Sequence, residues 1–431
     1  MADTPPFPTL ESWARGDGID FADEAAEAQY QERAQRMVDA VTGADPDRVP
    51  VNLLCTFYPA FHAGKTPEEV MHEPKALQES LLSFVEDLDP DLFPWGSALI
   101  PSAAALETVQ YEGFDWPGDG SSPRTVYQAR ERDYMTVEDY DQFLANPGEY
   151  FLRRYVPEVF GELEGFAQFP QFANLTAGIA GTHPFLLSFG LPQMQETLET
   201  LMEAGEQALA WEQSIGGTVQ EIVASGYPQS VGGLTLAPYD MLGDMMRGTH
   251  EVMMDLKRRP DTLAEAVDRL TPLAIDLGLT GAQVNQNPFV FIPLHKGADG
   301  FMSGEEFEEF YWPSLRAVIA ALMDEGLVPW LFAEGSYTTR LASITDMPEG
   351  PIIWHFQDTD LLEAQETLPE FVTIAGDVST SLLNTREPEA VTEYCQELVA
   401  DMGNERFVLA PAVGLDEAKP ENVQAMFESV R

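Results

Sequence analysis

Five short runs decide the fold: FVFIPLHKG (289–297), VPWLFAEGSY (328–337), IIWHFQDTD (352–360), FVTIAGDVS (371–379) and FVLAPAVGLD (407–416). Each is an apolar core of strand length that ends in polar residues, and the intervals between them have helical periodicity. Apolar strand, polar tip, helix, next strand is how a parallel α/β barrel is written in sequence. In such barrels the chemistry sits at the C-terminal strand ends. Those ends carry His295, Lys296, Glu334, His355, Gln357 and Asp377. Buried strands tipped with ionisable side chains point to an enzyme.

Reading outward, residues 1–22 form a loose lead-in with several Pro and Gly, and 23–42 have a helical pattern. Asp45-Pro46 starts a turn, and Val49 to Leu54 read as a first barrel strand, with Cys55, Phe57, Tyr58 and His62 beyond its end. Thr66 caps a helix that opens TPEEV, with Pro in the first helical position and acids in the first turn. Residues 91–160 break the pattern and read as an insertion, with 125–135 as one arm of a hairpin. A long amphipathic stretch follows at about 191–225, then a strand within 230–242 and a helix over 261–284. The expectation is one α/β barrel domain over 23–431, with the N-terminal extension and the insertion added to it.

Asp and Glu number 72 against 23 Lys and Arg, for a net charge of -49. The acid is spread along the chain, which is a solvated shell rather than a tail. Such a shell repels nucleic acid and anionic membranes, so neither is expected as a partner. It suits a high-salt cytoplasm, where salt screens self-repulsion; an acidic protein of an ordinary bacterium is the alternative. The two cysteines, Cys55 and Cys395, form no CxxC and no disulfide framework. The start MADTPPFPTL lacks the basic and apolar regions of a signal peptide, and no apolar run reaches the ~18 residues of a membrane span. A cytoplasmic location is expected.

Several segments taken together carry a resemblance: PDRVPV (46–51), APYDML…RG…VMMDLKRRPDTL, GFMSGEEFEEFYWPSLRAVIAALMDEG, IAGDVSTSLL and DEAKPENVQAMFESV. In this order they resemble the uroporphyrinogen decarboxylase superfamily, over roughly 30–431 and most specifically over the C-terminal part. The resemblance implies a (β/α)8 (TIM) barrel and, at family level, a homodimer. It also implies one of two activities, porphyrinogen decarboxylation or methyl transfer with a corrinoid protein. The decarboxylase branch needs a basic N-terminal segment to hold its polycarboxylate substrate. Here PVNLLCTFYPAFHAG stands instead, with no arginine between Arg48 and Arg124. The branch that methylates coenzyme M implies a zinc site made of His-x-Cys on one strand and a Cys near the end. This chain has His355-Phe356-Gln357 and Pro411-Ala412-Val413-Gly414, so both thiolates are missing. What remains resembles corrinoid-dependent methyltransferases that move a methyl group from a methoxylated or methylated small molecule to a separate corrinoid protein. A lyase or decarboxylase acting on a small carboxylic acid, and a non-catalytic tetrapyrrole-binding member, are the alternatives.

On this reading Glu334, His355 and His295 are the candidates for catalysis, as groups that protonate or polarise the leaving atom. Lys296 is a candidate for holding an anion. Tyr58, His62, Tyr239, Tyr337, Gln357 and Asp377 are candidate substrate contacts around the mouth. Phe57, Tyr58, Phe61 and Tyr337 are the expected apolar surface for the corrinoid protein. A metal, zinc by the resemblance, would keep His355 as the one surviving family ligand, and Glu334 is a candidate to join it. Each has a blander role to compete with: His355 as a hydrogen-bonded core residue, Asp377 as a helix cap, Cys55 as a buried structural thiol.

Overall fold

The five runs form five consecutive strands of one parallel sheet. The computed structural model describes residues 6–117, 120–130 and 132–431. In chain order its strands are β1 (Phe114–Asp115), β2 (Gln128–Ala129), β3 (Gly233–Leu234), β4 (Phe289–Leu294), β5 (Val328–Ala333), β6 (Ile352–Phe356), β7 (Val372–Val378) and β8 (Phe407–Pro411). β3 to β8 pair side by side in sequence order, all parallel. Single parallel bridges carry the order on at both edges, Val51 to Leu409 beyond β8 and Phe93 to Gln229 before β3. Between these two segments the Asp91 carboxylate accepts the Val51 N–H at 2.9 Å. The eight segments follow the order of a (β/α)8 barrel. The expected first strand, Val49 to Leu54, thus contributes one bridged residue rather than a ladder. Pro50 lies within it and has no N–H to give.

The strand period of two sorts the side chains. One set (Phe289, Val328, Trp330, Ile353, Ala375, Val408 and Ala410) packs together with Trp13, Tyr30, Met37 and Val41. Trp13 meets Phe289 edge-on at 5.1 Å. The lead-in is therefore ordered from Leu10: Leu10–Arg15 is a capped helix whose Trp13 closes the lower end of the barrel, and Glu24–Thr42 lies across it. Residues 1–5 of that expected loose segment lie outside the described residues. The alternate strand residues, such as Leu331, Trp354 and Ile374, pack outward with the helices.

The strand expected within 230–242 is only Gly233–Leu234. At Ala237 the chain turns into the helix Pro238–Met245, with Pro at its first position. The expected insertion holds the antiparallel pair β1–β2, and the helix Pro192–Ala224 leads from it back to the barrel at Gln229. It is pinned to the barrel rim by Arg247. This buried guanidinium donates to Asp255 at 2.8 Å, to Asp133 at 2.6 Å and to the Met135 carbonyl. Tyr140 also donates to Asp255, at 2.8 Å. No helix among the described residues is long and apolar enough to cross a membrane.

Candidate functional site

Pairing of Leu294 with Ala333, and of Ala333 with Phe356, sets three strand ends at one height. The next residue on each is His295, Glu334 and Gln357. Each continues the parity of its strand's inward side chains, namely Phe289, Trp330 and Ile353. The sheet thus lifts these three side chains together to the mouth of the barrel. They line a cavity of about 530 Å³ with Asp244, Lys296 and Gly335. Tyr111, Phe114, Tyr134, Tyr155, Phe301 and Met245 form much of its apolar wall. Four of these come from the insertion, which therefore roofs the mouth. A larger cleft, about 1050 Å³, opens at the opposite barrel end around Phe371 and Arg406. The Arg406 guanidinium there donates to the carbonyls of Val41, Thr42 and Phe371, so the cleft carries no comparable chemistry.

His295 is the centre of the polar floor. Its Nδ1 lies 2.6 Å from Asp244 Oδ2, and its Nε2 is 3.6 Å from Glu334 Oε1. Lys296 Nζ sits 2.6 Å from the other oxygen of Asp244. Burial alone would push the imidazole towards neutrality. The Asp244 and Glu334 carboxylates outweigh it and, with Asp240, raise the ring to about 10. His295 is therefore an imidazolium at neutral pH, with Nδ1–H donated to Asp244 and Nε2–H turned towards Glu334 and the cavity. Burial likewise opposes ionisation of Asp244, and His295 and Lys296 reverse that and hold it below the usual carboxylate range.

Behind this pair lies Asp240, fully buried one helical turn before Asp244. Its carboxylate accepts the backbone N–H groups of His295 (2.9 Å) and Lys296 (2.8 Å) and the Tyr311 hydroxyl (2.6 Å). Burial and the nearby Asp244 raise it to about 6, against the pull of His295 and Tyr311. Gly297 follows directly. A Cβ there would come within 2.6 Å of the Tyr311 ring and 2.7 Å of the Tyr337 hydroxyl, so only glycine allows this approach. Gln357 is fixed as well: its Oε1 accepts the Gly335 N–H at 2.8 Å, and Gly335 has φ +79°.

The other expected residues lie elsewhere. His355 is one inward step below Gln357, fully buried, and meets Phe332 at 4.8 Å. Its Nε2–H donates to the Pro411 carbonyl at 2.8 Å, and burial lowers it to about 4, a neutral ring. Tyr58 and Tyr239 are buried among core residues, the first near Phe84 (6.2 Å) and the second near Tyr311 (5.7 Å). Tyr337 is buried beside the floor, behind Gly297. Phe57 is also fully buried, so Phe57, Tyr58 and Tyr337 offer no docking surface; the apolar surface at the mouth comes from the insertion instead. His62 Nε2 pairs with Asp87 at 2.9 Å, away from the cavity. Asp377 accepts the Tyr394 hydroxyl at 2.8 Å and faces a helix. The structure thus brings together His295, Lys296, Glu334 and Gln357. It adds Asp240 and Asp244, whose four-residue spacing in PYDMLGDM was the signal available in the sequence.

The donor set does not suit a metal. Among the described residues no three His, Cys, Asp or Glu side chains converge to hold one. His355 gives its Nε2–H to a carbonyl and keeps only Nδ1 without a partner, and the positions where the resemblance implies thiolates hold Gln357 and Val413.

Residues 192–431 match the profile of a family described as uroporphyrinogen decarboxylase (URO-D). No curated protein matches the sequence. Among solved structures, a methyltransferase from Methanosarcina mazei superposes with a TM-score of 0.57 at 15% identity, covering 93% of this chain and 97% of that one. At this identity the likeness is one of fold.

Proposed function

Since the chain belongs to the uroporphyrinogen decarboxylase family, we propose that it is a methyltransferase that moves a methyl group from a methoxylated or methylated small molecule to a corrinoid carried by a separate protein. The observation that carries this reading is the charged His295, held between Asp244 and Glu334 on the floor of an aromatic-walled cavity. A methyl group on oxygen is a poor electrophile because the oxygen leaves as a strong base. A reduced corrinoid supplies the nucleophile that takes the methyl group. The chain's own task is to meet the oxygen. As the C–O bond breaks, its electron pair stays on the oxygen and the Nε2 proton of His295 passes to it. A general acid is worth roughly 10²–10⁴ in rate. An imidazolium near 10 matches a phenolic leaving group, whose ordinary value is about 10, so the transfer is close to thermoneutral. Glu334 orients the ring from the cavity side, Asp244 from behind.

The test is to mix the purified chain with a reduced corrinoid protein and a panel of methoxylated aromatics, methanol and methylamines, following loss of the reduced-corrinoid absorbance. Transfer from at least one donor, with His295→Gln slowed 10²-fold or more, supports the reading. No transfer from any donor, together with CO₂ release from a small acid, would replace it by the lyase.

A further inference from the structure

The three side chains that the strand ends lift to the mouth differ in what they offer a ligand. His295 Nε2–H is a donor turned to the cavity. Glu334, on the next strand, is an acceptor. Its side chain is 43% exposed, and His295 Nε2, at 3.6 Å, stands beyond hydrogen-bond reach. No N–H or O–H among the described residues donates to that carboxylate. Gln357, one strand further, is a donor again. Its Oε1 is taken by the Gly335 N–H at 2.8 Å, which fixes the orientation of the amide. Both Nε2 hydrogens are left without an acceptor among the described residues. Donor, acceptor and donor thus follow one another at the ends of β4, β5 and β6. The wall beside them is aromatic, with Tyr111, Phe114, Tyr134 and Tyr155 brought by the insertion.

We propose that Glu334 and Gln357 select the substrate, and that it is a 2-methoxyphenol, an aromatic methyl ether with a hydroxyl on the neighbouring ring carbon. This rests on the methyl-transfer reading above and adds which methyl donor it takes. Oxygens on neighbouring ring carbons are about one hydrogen-bond length apart, so one ring meets His295 and Glu334 together. The methoxy oxygen has lone pairs and no hydrogen, which suits the Nε2–H of His295. The hydroxyl beside it has a hydrogen to give, and Glu334 accepts it. A carboxylate acceptor makes this one of the stronger kinds of hydrogen bond. Gln357 Nε2 then meets an oxygen on the far side of the hydroxyl, so a second methoxy group there completes the pattern. Rival donors fit less of it. A methylammonium group gives its hydrogens to Glu334 but has no lone pair for His295. Methanol bridges His295 and Glu334 with its one oxygen and leaves Gln357 and the aromatic wall unused. Methoxybenzene fills the wall but brings no hydrogen to Glu334, and an acceptor left unpaired in a filled cavity costs affinity.

Isothermal titration calorimetry of the full chain, with no corrinoid present, separates this selection from the activity. 2-Methoxyphenol should bind roughly tenfold or more tighter than 1,2-dimethoxybenzene, which keeps both oxygens and lacks the hydrogen. 2,6-Dimethoxyphenol should bind tighter again, by about threefold or more. Glu334→Ala should bring the first ratio to within about threefold of unity. Gln357→Glu keeps an acceptor for the Gly335 N–H and removes the donor, and should reverse the preference for the second methoxy group. Should either variant misfold, the wild-type ligand series decides. Equal binding of 2-methoxyphenol and 1,2-dimethoxybenzene, no binding of any methoxyphenol at roughly 1 mM, or a ratio unmoved in folded Glu334→Ala would overturn the proposal. The binding pattern without methyl transfer to any corrinoid protein would sink the methyl-transfer reading and leave 2-methoxyphenols as the ligand class. Transfer from methanol or a methylamine alone would do the reverse.

Discussion

Replacing Asp244 by asparagine isolates the electrostatics of the barrel mouth. The change keeps the size of the side chain and removes the charge that lies 2.6 Å from both His295 Nδ1 and Lys296 Nζ. One opposite charge at this distance is worth 1–3 pKa units, so the ring should fall from about 10 to between about 7 and 9. Glu334 and Asp240 remain to hold it above the ordinary value. The folded value of His295 lies above its unfolded one of about 6.5. Its contribution to stability is therefore fully present below pH 6.5 and is lost as pH rises through 10. The whole interval amounts to about 5 kcal/mol at most, and Asp244→Asn should remove roughly 1–4 kcal/mol of it at pH 6. The two proteins should then converge in stability as pH approaches 10. Asp244 is depressed by the same contact, so its shift is the other end of one interaction and adds nothing further to that sum. Carbon-detected NMR titration of the six histidine rings reads the pKa directly, with His295→Gln giving the assignment. Urea unfolding at pH 6, 8 and 9.5 reads the stability. A wild-type His295 that titrates near 6.5, or a variant whose ring does not move, would refute the reasoning.

Gly297→Ala should cost about 1–3 kcal/mol, seen as a lowered urea midpoint, since the new methyl must displace the Tyr311 ring and the Tyr337 hydroxyl. Arg247→Met leaves Asp255 buried with only Arg259 and Tyr140 for partners, and should cost about 3–5 kcal/mol. In that variant hydrogen exchange should speed up first over residues 133–140. Raising KCl from about 0.1 to about 2 M should raise the melting temperature, because it screens a net charge of -49; an unchanged midpoint would mean that self-repulsion does not limit stability.

The five strands were legible because each is a largely buried apolar run, and in a parallel sheet such runs are nearly continuous. Their observed bounds fall inside the runs that open the sequence analysis. The barrel segments around Val51, Phe93 and Gly233 were less legible because they pair through one or two residues, too few to impose a pattern. The lead-in misled because Pro and Gly hide a six-residue helix whose one large apolar residue, Trp13, finds its partner at Phe289 far along the chain. For the mouth, the register between strands separates His295, Glu334 and Gln357 from His355, which shares the inward parity of Gln357 but lies one layer lower. Distance along the sequence from a strand tip does not give height above the sheet. Asp244 was the harder miss, since an acidic pair on one helix usually faces water, and only packing reveals that Asp240 and Asp244 face His295 and Lys296.

The placement of charge then bears on what the barrel can do. The resemblance to thiol-methylating relatives implies a metal at the tips of β6 and β8. In this chain those tips are closed by hydrogen bonds among the residues themselves: Gln357 takes the Gly335 amide, and His355 gives its proton to Pro411. A buried neutral imidazole with Nε2 engaged has no proton to deliver and no free Nε2 lone pair to offer there. The titratable groups gather instead at the ends of β4 and β5, where Asp240 holds the backbone of His295 and Lys296 and Asp244 holds their side chains. With Asp240 and Asp244 serving the two cations, the Nε2–H of His295 faces the cavity, opposite the half-exposed Glu334. A site of this kind suits a reaction that needs a proton on a leaving atom. It does not suit one that must activate a thiol.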